Sequence, residues 1–384
     1  MSEPGAALRP RRAPRSGQAL IDAAAALVPQ LRGAAVASEQ RGWLAEDTLE
    51  ALADGGFFSL GVPQRHGGTP MDWSTHIAVV EQLSRGCGST GWVMALYYGD
   101  TWIVTKFPSA AQDEVFASGT GRISGATTLT GTLVPTDGGY ILNGRWGFHT
   151  GCPGADWSLP CARVMDGDGT READEPRFAL VPMGQMEILA DWDVFGMAGT
   201  GSNTVTATDV FVPEHRTIAL ASIDGSVQIG AVGVVIGMAR AAIELFLESL
   251  PGRSITYTHY NERREAPITH LMVAEAQLRV DTAQSLVAGM VERLEACERD
   301  GQMLSADARA ILLAHKAHIF RLSREAVEII YSQSGASVIS RSAPIQRIFR
   351  DIEAICQHAM HQVHTNLERY GQHLTGVEGW VFGD

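Results

Sequence analysis

The chain has 384 residues, 45% of them hydrophobic, enough core-forming material for two or three packed subdomains. A formal net charge of −13 with no evident basic face argues against a phosphate-neutralising role on nucleic acid. Cys87, Cys152, Cys161, Cys297 and Cys356 form no Cys-x-x-Cys pair and fit a reducing cytoplasm, and the most apolar run, residues 229–239, is too short to span a membrane.

In chain order, residues 1–16 gather Arg9, Arg11, Arg12 and Arg15 among Pro and Ala, the composition of a disordered, solvated tail. Residues 17–58 carry apolar positions near the helical period and end at Gly55-Gly56. A run of breakers follows, Val62-Pro-Gln-Arg-His-Gly-Gly-Thr-Pro70. Helical spacing resumes over 73–84 and 89–107, so residues 17–118 read as an N-terminal α-helical domain. From about residue 120, short runs rich in Val, Thr, Ile and Trp alternate with turn signals at Asp137-Gly-Gly, Asn143-Gly and Asp166-Gly-Asp-Gly. Residues 119–222 read as a middle β-domain, a barrel or sandwich. Residues 229–250, 268–299, 305–334 and 345–370 then read as four long helices, making 223–384 a C-terminal four-helix bundle.

Several local sequences stand in a shared order along this layout. They are Gly55-Gly-Phe-Phe-Ser-Leu-Gly-Val-Pro63, Cys87-Gly-Ser-Thr-Gly-Trp-Val93, Gly144-Arg-Trp-Gly-Phe-His-Thr-Gly-Cys152, Gly196-Met-Ala-Gly-Thr-Gly-Ser-Asn203 and Pro344-Ile-Gln-Arg-Ile-Phe-Arg-Asp351. Together they resemble the acyl-CoA dehydrogenase superfamily from about Leu49 to Gly376. Dehydrogenases of that superfamily carry a Glu nine residues past the Arg of the Arg-Asp pair opening the last helix. Here the pair is Arg350-Asp351, and Ala359 stands at that place. The alternative region, between Glu214 and Glu244, offers only Asp224. The run Arg350-Asp-Ile-Glu-Ala-Ile-Cys-Gln-His358 instead resembles the two-component phenol hydroxylases of the superfamily.

That resemblance implies an oxygenase that takes reduced FMN or FAD and O2, forms a flavin C4a-hydroperoxide, and hydroxylates an aromatic small molecule. It implies His358 as the catalytic base, since an imidazole can take a phenolic proton near neutral pH. Thr150 is the second expected catalytic group, a hydroxyl beside the flavin ring. Trp92 and Trp146 are expected to wall the ring, with Ser124, Ala126 and Thr127 in a loop against its edge. Arg253 is expected on the flavin phosphate of a neighbouring subunit. Asp100, Tyr97 and His361 are expected on the substrate side, with His364 solvated. Asp100 and Ala198 depart from the hydroxylase pattern, where a His and an Arg are common, and point to a different substrate. The histidines lack the Glu-x-x-His or Cys partners of a metal site, so no metal is expected. No nucleotide fingerprint follows a strand and opens a helix, so electrons are expected from a separate NAD(P)H:flavin reductase. A tetramer, or at least a dimer, is expected from the long apolar bundle helices and from Arg253, which would need a neighbouring subunit's flavin. An N- or S-oxygenase, or a desaturase acting on an acyl thioester, is the alternative activity.

Overall fold

The computed structural model describes residues 16–70, 72–223, 229–302 and 304–377. The Arg-rich stretch, apart from Ser16, lies outside the described residues. Ser16 starts α1 (Gly17–Arg41) by accepting the amide of Ala19, and Gly42 ends it in the left-handed conformation at φ 71°. α1 has the length and hydropathy of a membrane span. Its Leu20, Ala24, Val28 and Leu31 are nevertheless buried at helical spacing, as in a core helix of a globular protein. α2 (Glu46–Gly55), α3 (Trp73–Gly86), α4 (Gly88–Val104) and α5 (Ser109–Val115) complete the first region. Asp72 caps α3 by accepting the Thr75 amide at 2.7 Å.

Eight strands follow: β1 (Ile123–Thr136), β2 (Gly139–Trp146), β3 (Trp157–Met165), β4 (Glu172–Ala179), β5 (Val181–Pro182), β6 (Glu187–Leu189), β7 (Thr204–Pro213) and β8 (Thr217–Ala219). They form one sheet in the order β6-β7-β2-β1-β3-β4-β8, with β5 paired to β3. β1 and β2 make the hairpin announced by Asp137-Gly138, and β1 also pairs in parallel with β3. Two sequence expectations change here. Ser124, Ala126 and Thr127 belong to strand β1, not to a loop. Trp146 is fully enclosed in the sheet's own core, its Nε1 donating to the Cys161 carbonyl at 2.8 Å. Its indole lies over Gly131 and Gly144, where a Cβ would stand 2.1 and 2.5 Å from ring atoms. Trp146 has no free face with which to wall a ligand.

The last region is α6 (Ala231–Glu248), α7 (Pro267–Arg299), α8 (Ala306–Gln333), α9 (Pro344–Ile355) and α10 (Val363–Thr375). α9 and α10 replace the single helix read over 345–370. After Ile355 the chain tightens, leaves the helical region at His358 (ψ 127°), makes a 3-10 turn at Ala359–His361, and restarts. The turn carries the His361 ring inward onto Phe320 of α8, at 4.5 Å between centroids.

The first and last regions share one apolar core running from Leu20 through Val93 and Val235 to Ile355. Its tightest seam is α3 on α6. A Cβ on Gly233 would lie 2.5 Å from the Ile77 carbonyl oxygen, and one on Gly237 would lie 2.3 Å from that of Glu81. Both contacts are with backbone, which cannot swing aside, so only glycine lets the helices approach this closely. Gly237→Ala is therefore expected to lower unfolding free energy in urea titration by about 1–3 kcal/mol despite the better helix propensity of Ala.

Candidate active site

Where α4, the corner after β2, the segment before β7 and the end of α9 meet, a cavity of about 400 Å³ opens. Its walls include Trp92, Phe148, Trp192, Phe195, Met197 and Ile355. Phe148 is 75% exposed and Phe195 is 60% exposed, unusual values for residues that ordinarily seek a core. Phe148 sits at φ 58°, a conformation costly for a side chain of its size, and its ring meets Trp192 edge-to-face at 5.8 Å. The polar lining is short: Thr150, Thr200, Ser202, Gln357 and His358. None of the described lining residues is a carboxylate.

One wall is held by α9. The Asp351 carboxylate accepts the Met197 amide at 2.6 Å, and the Arg350 guanidinium donates to the Phe195 carbonyl at 2.7 Å. Between them Gly196 lies so close that a Cβ would stand 2.1 Å from the Arg350 carbonyl oxygen. Arg350 also pairs with Glu39 of α1 at 2.6 Å. Burial pushes the Asp351 carboxyl up to about 6, opposed by the Met197 amide and then by Arg347 and Arg350.

The hydroxyl groups form a chain with a forced direction. Thr200 donates to the Met197 carbonyl at 2.8 Å. Its single proton is thereby used, so Ser202 must donate to Thr200, at 2.7 Å. Thr150 must in turn donate to Ser202, at 2.8 Å. With its proton committed, Thr150 has only oxygen lone pairs left to offer a ligand, and it acts there as an acceptor.

His358 faces the cavity from the turn after α9, its ring edge-to-face with Trp92 at 5.4 Å. Burial, and then the positive charge of Lys316, push its pKa down to about 4, so the imidazole is neutral at ordinary pH. The Met360 amide donates to its Nδ1 at 3.3 Å. An accepting Nδ1 assigns the proton of the neutral ring to Nε2.

The other expected residues are placed differently. His361 is fully buried behind His358, stacked on it at 4.7 Å, and backs that ring instead of meeting substrate. Tyr97 spends its hydroxyl on the Gly151 carbonyl at 2.6 Å and braces the corner beside Thr150. Ser124 donates to the Thr150 carbonyl at 2.7 Å from beneath. Asp100 lies against Gly125 of β1, and burial pushes its carboxyl well above the usual range. Tyr97, Asp100, Ser124, Ala126 and Thr127 are not among the residues lining this cavity. Arg253 is exposed in the turn after α6, and His364 is exposed on α10. Sequence reasoning missed Phe148, Trp192, Phe195 and Ser202. The strained backbone at Phe148 has no local sequence signal, and Ser202 was read only as part of the Gly196–Asn203 motif.

Residues 18–119 match the acyl-CoA dehydrogenase N-terminal domain family, and 229–363 match the C-terminal domain family. The flavin-dependent monooxygenase oxygenase subunit HsaA of Mycobacterium tuberculosis is 31% identical, over 94% of this chain and 97% of that protein. The chain belongs to the flavin-dependent monooxygenases of the acyl-CoA dehydrogenase family. The oxygenase component of the FADH2-dependent resorcinol hydroxylase of a Rhizobium species is 28% identical, covering 94% of each chain. In structure, XiaF of a Streptomyces species, solved with FADH2 and glycerol, superposes with a TM-score of 0.89 at 28% identity, over 95% of this chain and 97% of that one. The protein is thus the oxygenase component of a monooxygenase that uses reduced flavin, supplied by a separate reductase.

The cavity suits such a cofactor. Flat aromatic walls match a fused ring system, and a hydroxyl restricted to accepting matches the N–H edge that a flavin carries when reduced. Because Asp351 holds the wall in place, Asp351→Ala leaves the Met197 amide without its acceptor. Denaturant titration should show a loss of about 1–3 kcal/mol, with weaker reduced-flavin binding in parallel.

Proposed function

We propose that this oxygenase hydroxylates the ring of a phenolic or related aromatic substrate. The observation that carries the reading is one apolar cavity, with no carboxylate among its described lining residues, lined by both the Thr150 hydroxyl and the His358 imidazole. A desaturase would need a carboxylate there to take a proton α to a thioester; Ala359, at the position where that Glu was sought, is exposed on the 3-10 turn. The resorcinol hydroxylase among the relatives supports an aromatic substrate.

The chain's own contributions follow from the geometry. Trp92, Phe148, Trp192 and Phe195 orient flat rings and keep water from them. Thr150 would accept a hydrogen bond from the cofactor's edge, and Ser124 of β1 braces it from beneath through its carbonyl. His358 meets the hydroxyl of the substrate. A reduced flavin, FMN or FAD, supplies the activation of dioxygen when bound, and an NAD(P)H:flavin reductase delivers it. The free, mostly buried cysteines favour a cytoplasmic setting.

If His358 addresses the substrate, His358→Ala should fold and bind reduced flavin nearly as well as the native chain. Losing a proton-handling group costs ~10²–10⁴ in rate. Product per reduced flavin consumed should therefore collapse, with hydrogen peroxide making up the balance. A variant that stays fully coupled would refute the assignment.

Assembly as a homotetramer is proposed as well. Ile268, Leu271 and Leu278 of α7 expose 56%, 70% and 66% of their surface, and Arg253 is free to reach a neighbouring subunit. Light scattering at micromolar concentration should give about four times the 41.2 kDa chain mass; a monomer would overturn the proposal.

A further inference from the structure

A groove of about 590 Å³ lies between α3 and α7 over α6, and it shares no lining residue with the active-site cavity. Ser74, Ile77, Ala78 and Glu81 give it one face of α3 at helical spacing. Ile236 of α6 and Val287 and Val291 of α7 extend the apolar floor. Its described lining holds three carboxylates, Glu81, Glu292 and Glu295, against one cation, Arg299. Glu81 is 8% exposed and pairs with Arg240 at 3.2 Å. No ion pair reaches Glu292 or Glu295 among the described residues. α7 ends at Arg299, so the carbonyl end of that helix, which favours positive charge, lies on the same rim.

Apolar below and acidic above, the groove suits a segment that carries several cations among apolar residues. Residues 1–15 of this chain have that composition: Arg9, Arg11, Arg12 and Arg15 against one acid, Glu3, with Leu8, Pro10 and Pro14 between. The structure fixes where this segment joins the fold. α1 begins at Gly17, where a Cβ would stand 2.4 Å from Thr75 Oγ1, and the neighbouring Ser74 lines the groove. The start of α3 lies by the end of α7, since Trp73 shares a pocket wall with Leu294 and Cys297. Glu292 and Glu295 therefore stand at the end of the groove where the segment departs. Glu81, two turns along α3, lies about 10 Å further in. Fifteen residues can reach about 50 Å, so the segment is long enough to cover the groove several times over.

We propose that residues 1–15 dock in the α3–α7 groove of their own chain, with the arginines on Glu292, Glu295 and Glu81 and the apolar residues over Ile77 and Val287. The segment then acts as a strap that ties the first helical region to the last, beside the seam at Gly233 and Gly237. This replaces the solvated tail that composition alone suggests. It is independent of the reading of the active site.

Trypsin tests the strap in the full chain, by the rate of cutting after Arg11 and Arg12 as followed by mass spectrometry. Glu292 is exposed and Glu295 half-buried, so Glu292→Gln/Glu295→Gln keeps the fold. At low salt the native segment should be cut about tenfold more slowly than in this double variant, the protection that a few surface ion pairs supply. High salt should remove most of the difference by speeding the native rate toward that of the variant. Equal rates at low salt would overturn the proposal. Ala288→Trp fills the groove without touching a charge, because Ala288 is exposed on its wall, and it should release the segment as well. Release by the charge variant alone would mean diffuse attraction to an acidic surface, and the groove would fall. Protection that weakens on dilution would give the groove to a neighbouring copy's segment and overturn the assignment to the same chain.

Discussion

The candidate site depends on a two-point clamp between α9 and the segment 195–197. Arg350 and Asp351 are neighbours in sequence, and each takes one backbone group of the opposing segment, the Phe195 carbonyl and the Met197 amide. Gly196 between them lies against α9 with no room for a side chain. The clamp decides which face of the segment looks inward. It sets Phe195 and Met197 as walls and, through the Met197 carbonyl, anchors the hydroxyl chain that ends at Thr150. Removing a buried partner from such a set leaves an unsatisfied group, which costs more than the bond itself contributes.

The clamp also joins regions remote in sequence. Arg350 reaches back to Glu39 of α1 while holding the segment before β7. Trp92 comes from α4 and His358 from beyond α9. The shared apolar core of the first and last helical regions, tightened at Gly233 and Gly237, brings α4 and α9 to the same cavity.

The chain's negative charge does not extend to the described lining of the cavity. The protein is strongly acidic overall, yet the described residues lining its cavity include no carboxylate. Asp351, the nearest acid of the clamp, is turned away onto a backbone amide. In a low-dielectric interior such placement matters more than net charge, because local charges are weakly screened.

Much of the architecture was legible locally. The helical period over residues 17–58, the Asp137-Gly-Gly turn and the Val/Thr-rich strands are short-range signals, and the ordered motifs from Gly55 to Asp351 carried the family. Thr150 and His358 were legible for the same reason, as members of local motifs. What the sequence could not show is anything set by contact across the fold. Trp146 and Phe148 stand two residues apart in one motif, yet the sheet's core encloses the first and the corner after β2 exposes the second. The helix break before His361 arises from burial of that ring on Phe320, forty-one residues earlier by number. Lys316 lies within the helix read over 305–334, and only packing buries it. Periodicity and turn chemistry are properties of neighbours along the chain; burial and hydrogen-bond direction belong to neighbours in space, and the tertiary structure alone decides those.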